Sequence, residues 1–563
     1  GAWVAGRFAA SIRRPVWVYA LLELGIALCA LGLPLALAGL RALTAWLFAD
    51  SETQRGADDL GVALFGGVGA FVVLVIPTAL MGATLPLLAR HAVRNEAEIG
   101  RRIGLLYAVN TLGAIFGTLV AGFALLPFLG LSRTVWVGVG VNALIFAVAA
   151  LLSRRHPAPV AATGRSASDA GPNAKRRNWI LPLVLVSGIA SFGYEVLWTR
   201  LLGQILGGSV YAFSTMLASF LAGITLGSAV ASRFADRRHV AVVGFGLCQL
   251  AIAGFGWMAF GLLDALPGWA VALEMPRVGG VHPWDVALCV ALLLPSTIAI
   301  GATFPFAVKL CARDVADAAP ASARVYSWNT VGAIGGALGT GFLLIPAVGF
   351  ASSFAFFIAL NLGLAAVAAL VLVPRSRPVF AVALAASVGL AVAPPPSPSN
   401  LLRFAPLMRR VLPGKIVFQD AGRSASILVR EEAGGLKLTS NGLAEATIAT
   451  SSSPRFDLTN RWAAALPTLA RPEAQSLLVI GLGGGVIVEE VPESILTIDV
   501  VELEPAVVEA NRVIAPLRRI DPLSDPRIRV IENDARAMLA FSSKRYDGII
   551  SQPSHPWTAG ASH

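Results

Sequence analysis

Three glycines follow an apolar run in the last fifth of the chain. SLLVIGLGGG ends with Gly481, Gly483 and Gly485, spaced as GxGxG. Glycines at such a turn let backbone amides approach a ligand, because no side chain intervenes. The next apolar run, ILTIDVVELEP, carries Glu502 about 20 residues further on, where a carboxylate can bind both hydroxyls of a ribose. The order of strand, glycines, helix, strand and acid predicts a βαβ unit that binds a nucleoside.

The surrounding residues refine this prediction. Val486 stands where a third motif glycine would be, which weakens a pyrophosphate-binding interpretation and favours a nucleoside without one. A third strand, in IRVIENDARAML, places Asn533 and Asp534 at its end, where a carboxylate can accept from the amino group of adenine. These two residues are therefore predicted to contact the same ligand.

A fourth strand, in YDGIISQPSHPW, ends at Gln552. Ligands of open parallel sheets bind at the carboxyl ends of the strands, so Gln552, Ser554 and His555 border the expected reacting centre. A histidine titrates near neutral pH and can act as a base. His555 is thus a catalytic candidate, with mere exposure in a loop as the alternative.

These elements follow a long apolar region that excludes a purely soluble protein. Of the 563 residues 56% are hydrophobic and 14% charged, and the mean hydropathy is +0.71; soluble domains carry roughly a quarter charged residues. Stretches of about 20 apolar residues can cross a bilayer. Such stretches lie near 17–40, 60–89, 104–128, 134–153, 179–206, 209–232, 240–264, 284–308, 323–347 and 350–373. The segment 379–394 is shorter and is expected to be partial or interfacial.

Alternate loops between these stretches are basic, which predicts that they face the cytoplasm. The same placement accounts for the net charge of +11 without invoking nucleic acid. The expected location is the bacterial inner membrane, with the lipid bilayer as a partner and the soluble part on the cytoplasmic side.

The membrane region contains an internal repeat. YAVNTLGAIFGTLVAGFALLPFLG, from Tyr107, recurs as YSWNTVGAIGGALGTGFLLIPAVG, from Tyr326, and TALMGATLP recurs as TIAIGATFP. The opening GAWVAGRF resembles GSAVASRF, from Gly227, so the chain is expected to be a fragment whose first unit lacks its start. The repeat predicts two parallel six-helix units, which is one transporter design. Small residues at matched positions predict close helix packing: Gly113, Gly117, Gly122, Gly332, Gly336 and Gly341.

Polar residues also occur inside the apolar stretches, where ionisable groups are costly and usually face a bundle interior or cavity. They are Glu23, Tyr107, Asn110, Glu195, Arg200, Gln249, Tyr326 and Asn329. They either form a polar path or make hydrogen bonds between helices, and the sequence leaves both open.

The predicted organisation has six parts. They are a truncated first membrane repeat at 1–153, a cytoplasmic loop at 154–178, a second repeat at 179–373, an apolar segment with a Pro/Ser linker at 374–400, a small β domain at 401–455 with a turn at Asn441 and Gly442, and a Rossmann-like α/β domain at 456–563. A helix is expected over 456–470. The four cysteines form no CxxC pair, so no metal site or disulfide framework is predicted.

At VIGLGGG, VVELEPAVVEANR, DPRIRVIENDARAML and YDGIISQPSHPW the chain resembles the spermidine synthase family of aminopropyltransferases, in the form fused to a multispan membrane region. The resemblance implies decarboxylated S-adenosylmethionine as donor substrate, with Glu502 on the ribose and Asp534 near the adenine. In that family GGGDG provides an aspartate for the aminopropyl end; its position here is Gly484.

The catalytic segment departs from the family. The family's DxxDP reads QPSHP here, so Gln552 and His555 replace both carboxylates. A glutamine cannot take the proton of an attacking amine, and His555 would be the titratable substitute. Thr459 and Asn460 replace a Tyr-Gln pair, and the chain ends at His563 before the remaining strands of the family fold.

Three functions therefore remain open. The first is a membrane-bound spermidine synthase-like transferase that uses S-adenosylmethionine or its decarboxylated form and an amine or other acceptor, without a metal. The second is a transporter or sensor for polyamines or other solutes, whose nucleoside-binding domain is non-catalytic. The third is a membrane-associated methyltransferase.

Overall fold

The computed structural model describes residues 1–8, 12–48, 60–93, 95–155, 172–273, 275–276, 282–372, 385, 396–451, 453, 458–542 and 544–551. The chain divides into two compact units, one of long helices and one that contains the sheets. The predicted segment 379–394 lies outside the described residues except for Ala385.

Long apolar helices fill the first part of the chain, as the composition predicts. The helices are α1 (Ala2–Phe8), α2 (Pro15–Phe48), α3 (Leu60–Ala92), α4 (Ile99–Val120), α5 (Leu126–Arg155), α6 (Pro172–Leu206), α7 (Val210–Ser232), α8 (Arg238–Leu262), α9 (Leu266–Ala272), α10 (Pro283–Cys311), α11 (Ala318–Leu338) and α12 (Ile345–Leu372). Among the described residues, eight helical runs are long and apolar enough to cross a membrane.

Two of these runs, Ile99–Arg154 and Ala318–Leu372, are too long for a single span and are interrupted. Gly130 breaks the first run with φ 70°, and Gly349 breaks the second with φ 73°. Positive φ is accessible to glycine because it has no Cβ. Each run therefore consists of two segments, in agreement with the paired stretches expected from the sequence.

The two runs share a second irregularity. A π-helical turn joins α4 to α5 at Ala121–Leu125, and another joins α11 to α12 at Gly339–Leu344. Both turns lie within the segments whose sequences match, and both precede the interrupting glycine. The matched sequences thus have matched backbone irregularities.

Glycines bring helix backbones into direct contact. A Cβ at Gly332 on α11 would lie 2.0 Å from the carbonyl oxygen of Leu185 on α6, and one at Gly336 would lie 2.2 Å from that of Ile189. Gly122 is similarly close to Ser214. The packing prediction therefore holds at these three glycines.

At the other three glycines no such close approach occurs among the described residues. Nothing in that part of the chain lies within 4 Å of a Cβ built at Gly113 or Gly117, and Gly341 has only an ordinary contact, at 3.9 Å from Val196. Gly332 and Gly336 face α6, which has no counterpart in the first repeat among the described residues; α11 also packs on α1, as α4 packs on α7.

The second part of the chain contains a helix, three sheets and further helices. The elements are α13 (Ser399–Leu402), β1 (Phe404–Ala405), β2 (Arg410–Val411), β3 (Lys415–Ala421), β4 (Ser426–Glu432), β5 (Gly435–Ser440), β6 (Leu443–Ile448), α14 (Leu458–Ala470), β7 (Ser476–Ile480), α15 (Val486–Glu489), β8 (Thr497–Glu502), α16 (Pro505–Ile514), β9 (Ile528–Glu532), α17 (Ala535–Phe541) and β10 (Gly548–Ser551). Short 3₁₀ turns occupy Glu96–Glu98, Ala515–Leu517 and Pro522–Ser524.

Strands β3 to β6 form an antiparallel meander in sequence order. A two-residue turn, Asn441 and Gly442, joins β5 to β6 with φ of 49° and 76°. Both φ values are positive, as a tight hairpin of this kind requires, and Asn-Gly is the preferred pair for it. The turn lies at the position predicted from the sequence.

Strands β7 to β10 form a parallel sheet in the order β10-β7-β8-β9. Ile480 pairs with Val501 and with Ser551, and Glu502 pairs with Glu532, so the four strands end at one edge. Apolar side chains of β7 and β8 pack on one side against β4, β5 and β6 in a common core. The two four-stranded sheets therefore stabilise each other.

The buried carboxylate of Asp499 joins β8 to β9 and to the segment that precedes β10. Asp499 on β8 is 3% exposed and lies opposite Arg529 on β9. It accepts hydrogen bonds from Lys544 Nζ at 2.7 Å, Tyr546 Oη at 2.6 Å and Arg529 Nη2 at 2.9 Å. Burial opposes its ionisation, yet these donors hold the pKa of Asp499 below its ordinary value.

The repeat-related glycines provide a matched test of helix packing. Gly332→Ala places a methyl group against the Leu185 carbonyl, so α11 and α6 must separate. We expect the temperature at which the helical circular dichroism of the full chain in detergent is lost to fall by several degrees, consistent with overpacking costs of about 1–3 kcal/mol. Gly113→Ala is the control, and we expect it to leave that temperature unchanged or raise it slightly. Equal shifts in both variants would contradict the packing described here.

The Asp499 cluster predicts a pH dependence. Because the pKa of Asp499 is lowered on folding, its contribution is present above the unfolded pKa of about 3.9 and is lost as the pH falls through the folded value. Asp499→Asn should reduce the free energy of opening of β8 by on the order of 2 kcal/mol at pH 7. The difference should shrink below pH ~4. Hydrogen exchange of the β8 amides in the full chain measures both effects, and a difference independent of pH would contradict the assignment.

Candidate functional site

A cleft of about 480 Å³ opens at the edge where the parallel strands end. This volume lies within the range of small-molecule sites, roughly 300–1,000 Å³. Five of the six residues predicted to bind a ligand line it: Gly481, Gly483, Glu502, Asn533 and Asp534. Strands β4 to β6 contribute the opposite wall, including Ser440 and Glu445. The structure thus brings the predicted binding residues together.

The glycine turn after β7 requires backbone conformations that other residues rarely adopt. Gly481, Gly483 and Gly485 have φ of 91°, 51° and 72°. Gly485 does not line the cleft; it precedes α15, and a Cβ there would lie 2.8 Å from Pro522. Its role in the described structure is to permit the turn.

Gly484 is enclosed by the β domain. A Cβ at this position would lie 2.5 Å from the Ala446 Cβ and 2.9 Å from Ile448 Cγ1, both on β6. No acidic side chain fits here without displacing β6. The absence of the family's loop aspartate is therefore accompanied by a closely packed apolar wall.

Glu502 holds the glycine turn as well as facing the cleft. Its Oε2 accepts from the N–H groups of Leu482 at 2.8 Å and Gly483 at 3.4 Å, and its Oε1 accepts from Glu504 N–H at 2.9 Å. A carboxylate has about four acceptor positions, so three are used by the protein backbone. The sequence predicted a ligand-binding role alone and did not reveal this structural one.

Asp534 begins α17. Its Oδ1 accepts from the N–H groups of Arg536 at 2.7 Å and Ala537 at 3.3 Å. No described residue donates to Oδ2. Asn533 N–H donates to the Glu502 carbonyl at 2.9 Å, so the ends of β8 and β9 are joined directly beside the cleft.

The predicted catalytic residues Gln552 and His555, with Ser554, lie outside the described residues. β10 ends at Ser551, opposite Ile480, immediately before the glycine turn. Their assignment stays a prediction.

Glu504 was not singled out from the sequence. It is 5% exposed, and its Oε2 accepts from Ser424 N–H at 2.7 Å, Ser424 Oγ at 2.6 Å and Ala425 N–H at 3.1 Å. Ser424 and Ala425 belong to the turn between β3 and β4, and all three residues line the cleft. Glu504 therefore fixes one wall of the cleft to the other. In the sequence, the only indication of this role is that Glu504 is a second acidic residue two positions after Glu502.

A second buried group, also not anticipated, lies on the other side of the glycine turn. Arg518 and Glu489 form an ion pair whose side chains are almost entirely buried, and Arg518 donates to Asn511 Oδ1 at 2.7 Å. No pattern in the sequence indicates that three residues on different elements meet here.

The predicted intramembrane polar residues do not form one site. Tyr107 and Asn329 line a cavity of about 40 Å³ together with Ser187 and Ser191. Gln249 is fully buried and donates to Ser187 Oγ at 3.0 Å. At ~10–15 Å³ for each water, the cavity has room for a few water molecules.

The other five do not line this cavity. Glu23 is buried on α2, Glu195 and Tyr326 are half-buried, and Asn110 is exposed. The guanidinium of Arg200 lies 5.7 Å from the centre of the Phe350 ring.

The geometry of the cleft agrees with comparison to known sequences. Residues 458–563 match the family described as "Spermine/spermidine synthase domain". This part of the chain is a spermine/spermidine synthase domain. The matched residues include the glycine turn, Glu502, Asp534 and the QPSHP segment.

Three curated proteins similar to parts of the chain carry a related name. The chain is 25% identical over 385 residues to "Polyamine aminopropyltransferase 1" of Streptomyces coelicolor, covering 66% of this chain and 68% of that protein. It is 26% identical over 404 residues to "Polyamine aminopropyltransferase" of Mycobacterium tuberculosis, covering 69% and 73%. Over 93 residues it is 31% identical to "Polyamine aminopropyltransferase 1" of Pseudomonas aeruginosa, covering 16% and 32%.

The two longer alignments exceed the length of the segment from Ser399 to the end. They must therefore include part of the helical region. The similarity is not confined to the synthase domain.

Proposed function

We propose that the protein is a membrane-bound transferase of the spermidine synthase type, which passes a group from an adenosyl sulfonium compound to an amine. The observation that carries this proposal is the cleft, in which the glycine turn, Glu502 and Asp534 meet within a spermine/spermidine synthase domain. Decarboxylated S-adenosylmethionine is the first candidate donor and S-adenosylmethionine the second.

The chemistry is a displacement at the carbon bonded to the sulfonium. The amine lone pair forms the new C–N bond, and the C–S bond breaks with its electrons going to sulfur. A neutral thioether leaves, and the nitrogen loses a proton. Because no covalent bond to the protein is needed, positioning of donor and acceptor supplies most of the rate enhancement.

The cleft offers matching partners for the adenosine. Glu502 retains one acceptor position for a ribose hydroxyl after its three bonds to backbone N–H groups. Asp534 Oδ2 can accept from the adenine amino group, since Oδ1 already caps α17. Both assignments agree with the expectation from the sequence.

The proton of the acceptor amine is assigned to His555. QPSHP has no carboxylate, and an amide such as that of Gln552 does not take a proton. A neutral imidazole does so near pH 7. A doubly charged diamine also has less electrostatic attraction to this segment than to one with two aspartates, so an acceptor with fewer positive charges is favoured.

Product analysis tests the proposal on the full chain in lipid nanodiscs. With decarboxylated S-adenosylmethionine and a panel of amines we expect methylthioadenosine; with S-adenosylmethionine, adenosylhomocysteine would indicate methyl transfer instead. Glu502→Gln removes a charged acceptor from three backbone donors and a ribose, and we expect at least about a tenfold loss of kcat/KM, equivalent to ~1.4 kcal/mol. Glu509→Gln, exposed on α16, is the control and should retain activity. Absence of both products with every acceptor would overturn the proposal.

We also propose that the helical region spans the bacterial inner membrane as two parallel repeats and that the synthase domain is cytoplasmic. The eight apolar helical runs and the matched π turns support this arrangement. A transport function has less support, because only Tyr107 and Asn329 among the eight predicted intramembrane polar residues line the cavity of about 40 Å³.

The orientation has a direct test. A reporter active only in the cytoplasm, fused after residue 400, should give a signal in cells. A reporter active only outside the cytoplasm, fused at the same residue, is the control and should give none. The reverse pattern would place the domain away from its nucleoside substrate.

A further inference from the structure

The carbonyl groups of the glycine turn are held from the side away from the cleft. Asn511 Nδ2 donates to the Gly483 carbonyl at 2.8 Å, and Arg518 Nη2 donates to the Gly484 carbonyl at 2.8 Å. Asn511 is fully buried on α16, Arg518 is 5% exposed, and neither lines the cleft. Asn511 and Arg518 thus hold the glycine turn from the side opposite the cleft.

The guanidinium of Arg518 is bound on all of its edges. Nη1 donates to Asn511 Oδ1 at 2.7 Å, Nε donates to Glu489 Oε1 at 3.1 Å, and Nη2 also contacts Glu489. A planar fork of donors can serve these partners at once, whereas a lysine ammonium on a flexible stem cannot reproduce that geometry. The arrangement depends on arginine rather than on positive charge alone.

This anchoring determines where the Gly484 N–H points. In a trans peptide the carbonyl and the following N–H point in opposite directions, so a Gly483 carbonyl turned toward Asn511 turns the Gly484 N–H the other way, toward the cleft. The neighbouring N–H groups already have acceptors. Glu502 accepts from the N–H groups of Leu482 and Gly483, and the Leu482 carbonyl accepts from the N–H of Gly485.

The Gly484 N–H has no acceptor among the described residues, although Gly484 is buried and lines the cleft. Buried backbone donors are nearly always paired with protein, water or ligand. We propose that Arg518 is a positioning residue: by holding Asn511 Oδ1 it fixes the Asn511 amide on the Gly483 carbonyl, and so aims this N–H at an acceptor atom of the adenosine-bearing ligand. The inference rests on the proposed function and goes beyond it, since neither residue touches the ligand.

Binding of methylthioadenosine to the full chain in nanodiscs, measured by calorimetry, tests the inference. Arg518→Lys retains the charge beside Glu489 but loses the fork, and we expect its Kd to rise about tenfold at a temperature well below unfolding. Hydrogen exchange without ligand should accelerate at residues 481–486. A general loss of structure would instead accelerate exchange throughout β7 to β9.

Arg512→Lys is the matched control, because Arg512 lies on α16 next to Asn511 and forms an exposed pair with Glu509. It should change neither the Kd nor the exchange. If Arg518→Lys does not fold, the double variant Glu489→Gln with Arg518→Met removes both buried charges together and should show the same weakened binding.

The possible failures are distinguishable. Methylthioadenosine binding by Arg518→Lys within about twofold of the unsubstituted chain overturns the positioning role and leaves the proposed function intact. Absence of binding by the unsubstituted chain refutes the proposed function, and the assignment of a ligand acceptor to Gly484 fails with it.

Discussion

The synthase domain depends on satisfying the backbone of the turn between β7 and α15. That turn has three residues with positive φ and more polar groups than it can pair internally. Glu502 accepts from two of its N–H groups, and Asn511 and Arg518 donate to two of its carbonyls. Buried polar groups without partners are costly, so these side chains determine the conformation of the turn.

The same turn joins the two sheets. Gly484 is in contact with β6 on one side and with Arg518 on the other, and Glu504 attaches the turn between β3 and β4. The β domain is therefore not a separate module beside the nucleoside cleft, since it provides one wall and is bonded to the strand ends that provide the other.

In the helical unit the corresponding constraint is how closely the backbones of neighbouring helices can approach each other. Where apolar helices associate in lipid there is no hydrophobic drive between them, so close packing and hydrogen bonds matter most. Gly332 and Gly336 allow α11 to approach α6 until carbonyl oxygens lie where a Cβ would be. Their counterparts Gly113 and Gly117 have no such neighbour among the described residues.

Local patterns predicted much of this structure. The long apolar helices, the Asn441 turn and the residues that line the cleft follow from periodicity, turn chemistry and strand order. These features depend on residues close together in the sequence.

The contacts that could not be predicted join distant residues. Arg518 with Glu489, and Glu504 with Ser424, are separated along the chain and share no motif. The surroundings of Gly113 depend on which helix packs beside it, and α6, which faces the matched Gly332, has no counterpart in the first repeat among the described residues.

The two π turns have a geometric consequence. A π turn includes one more residue than an α-helical turn, so every later side chain is rotated about the helix axis by roughly 100°. Both turns precede the glycine break of their own run, at Gly130 and Gly349. The helix that follows each turn is therefore rotated by the same angle, α5 relative to α4 and α12 relative to α11. Losing the extra residue from only one turn would rotate one segment relative to the other. The two extra residues can therefore be removed only as a pair if the two runs are to keep their matching geometry.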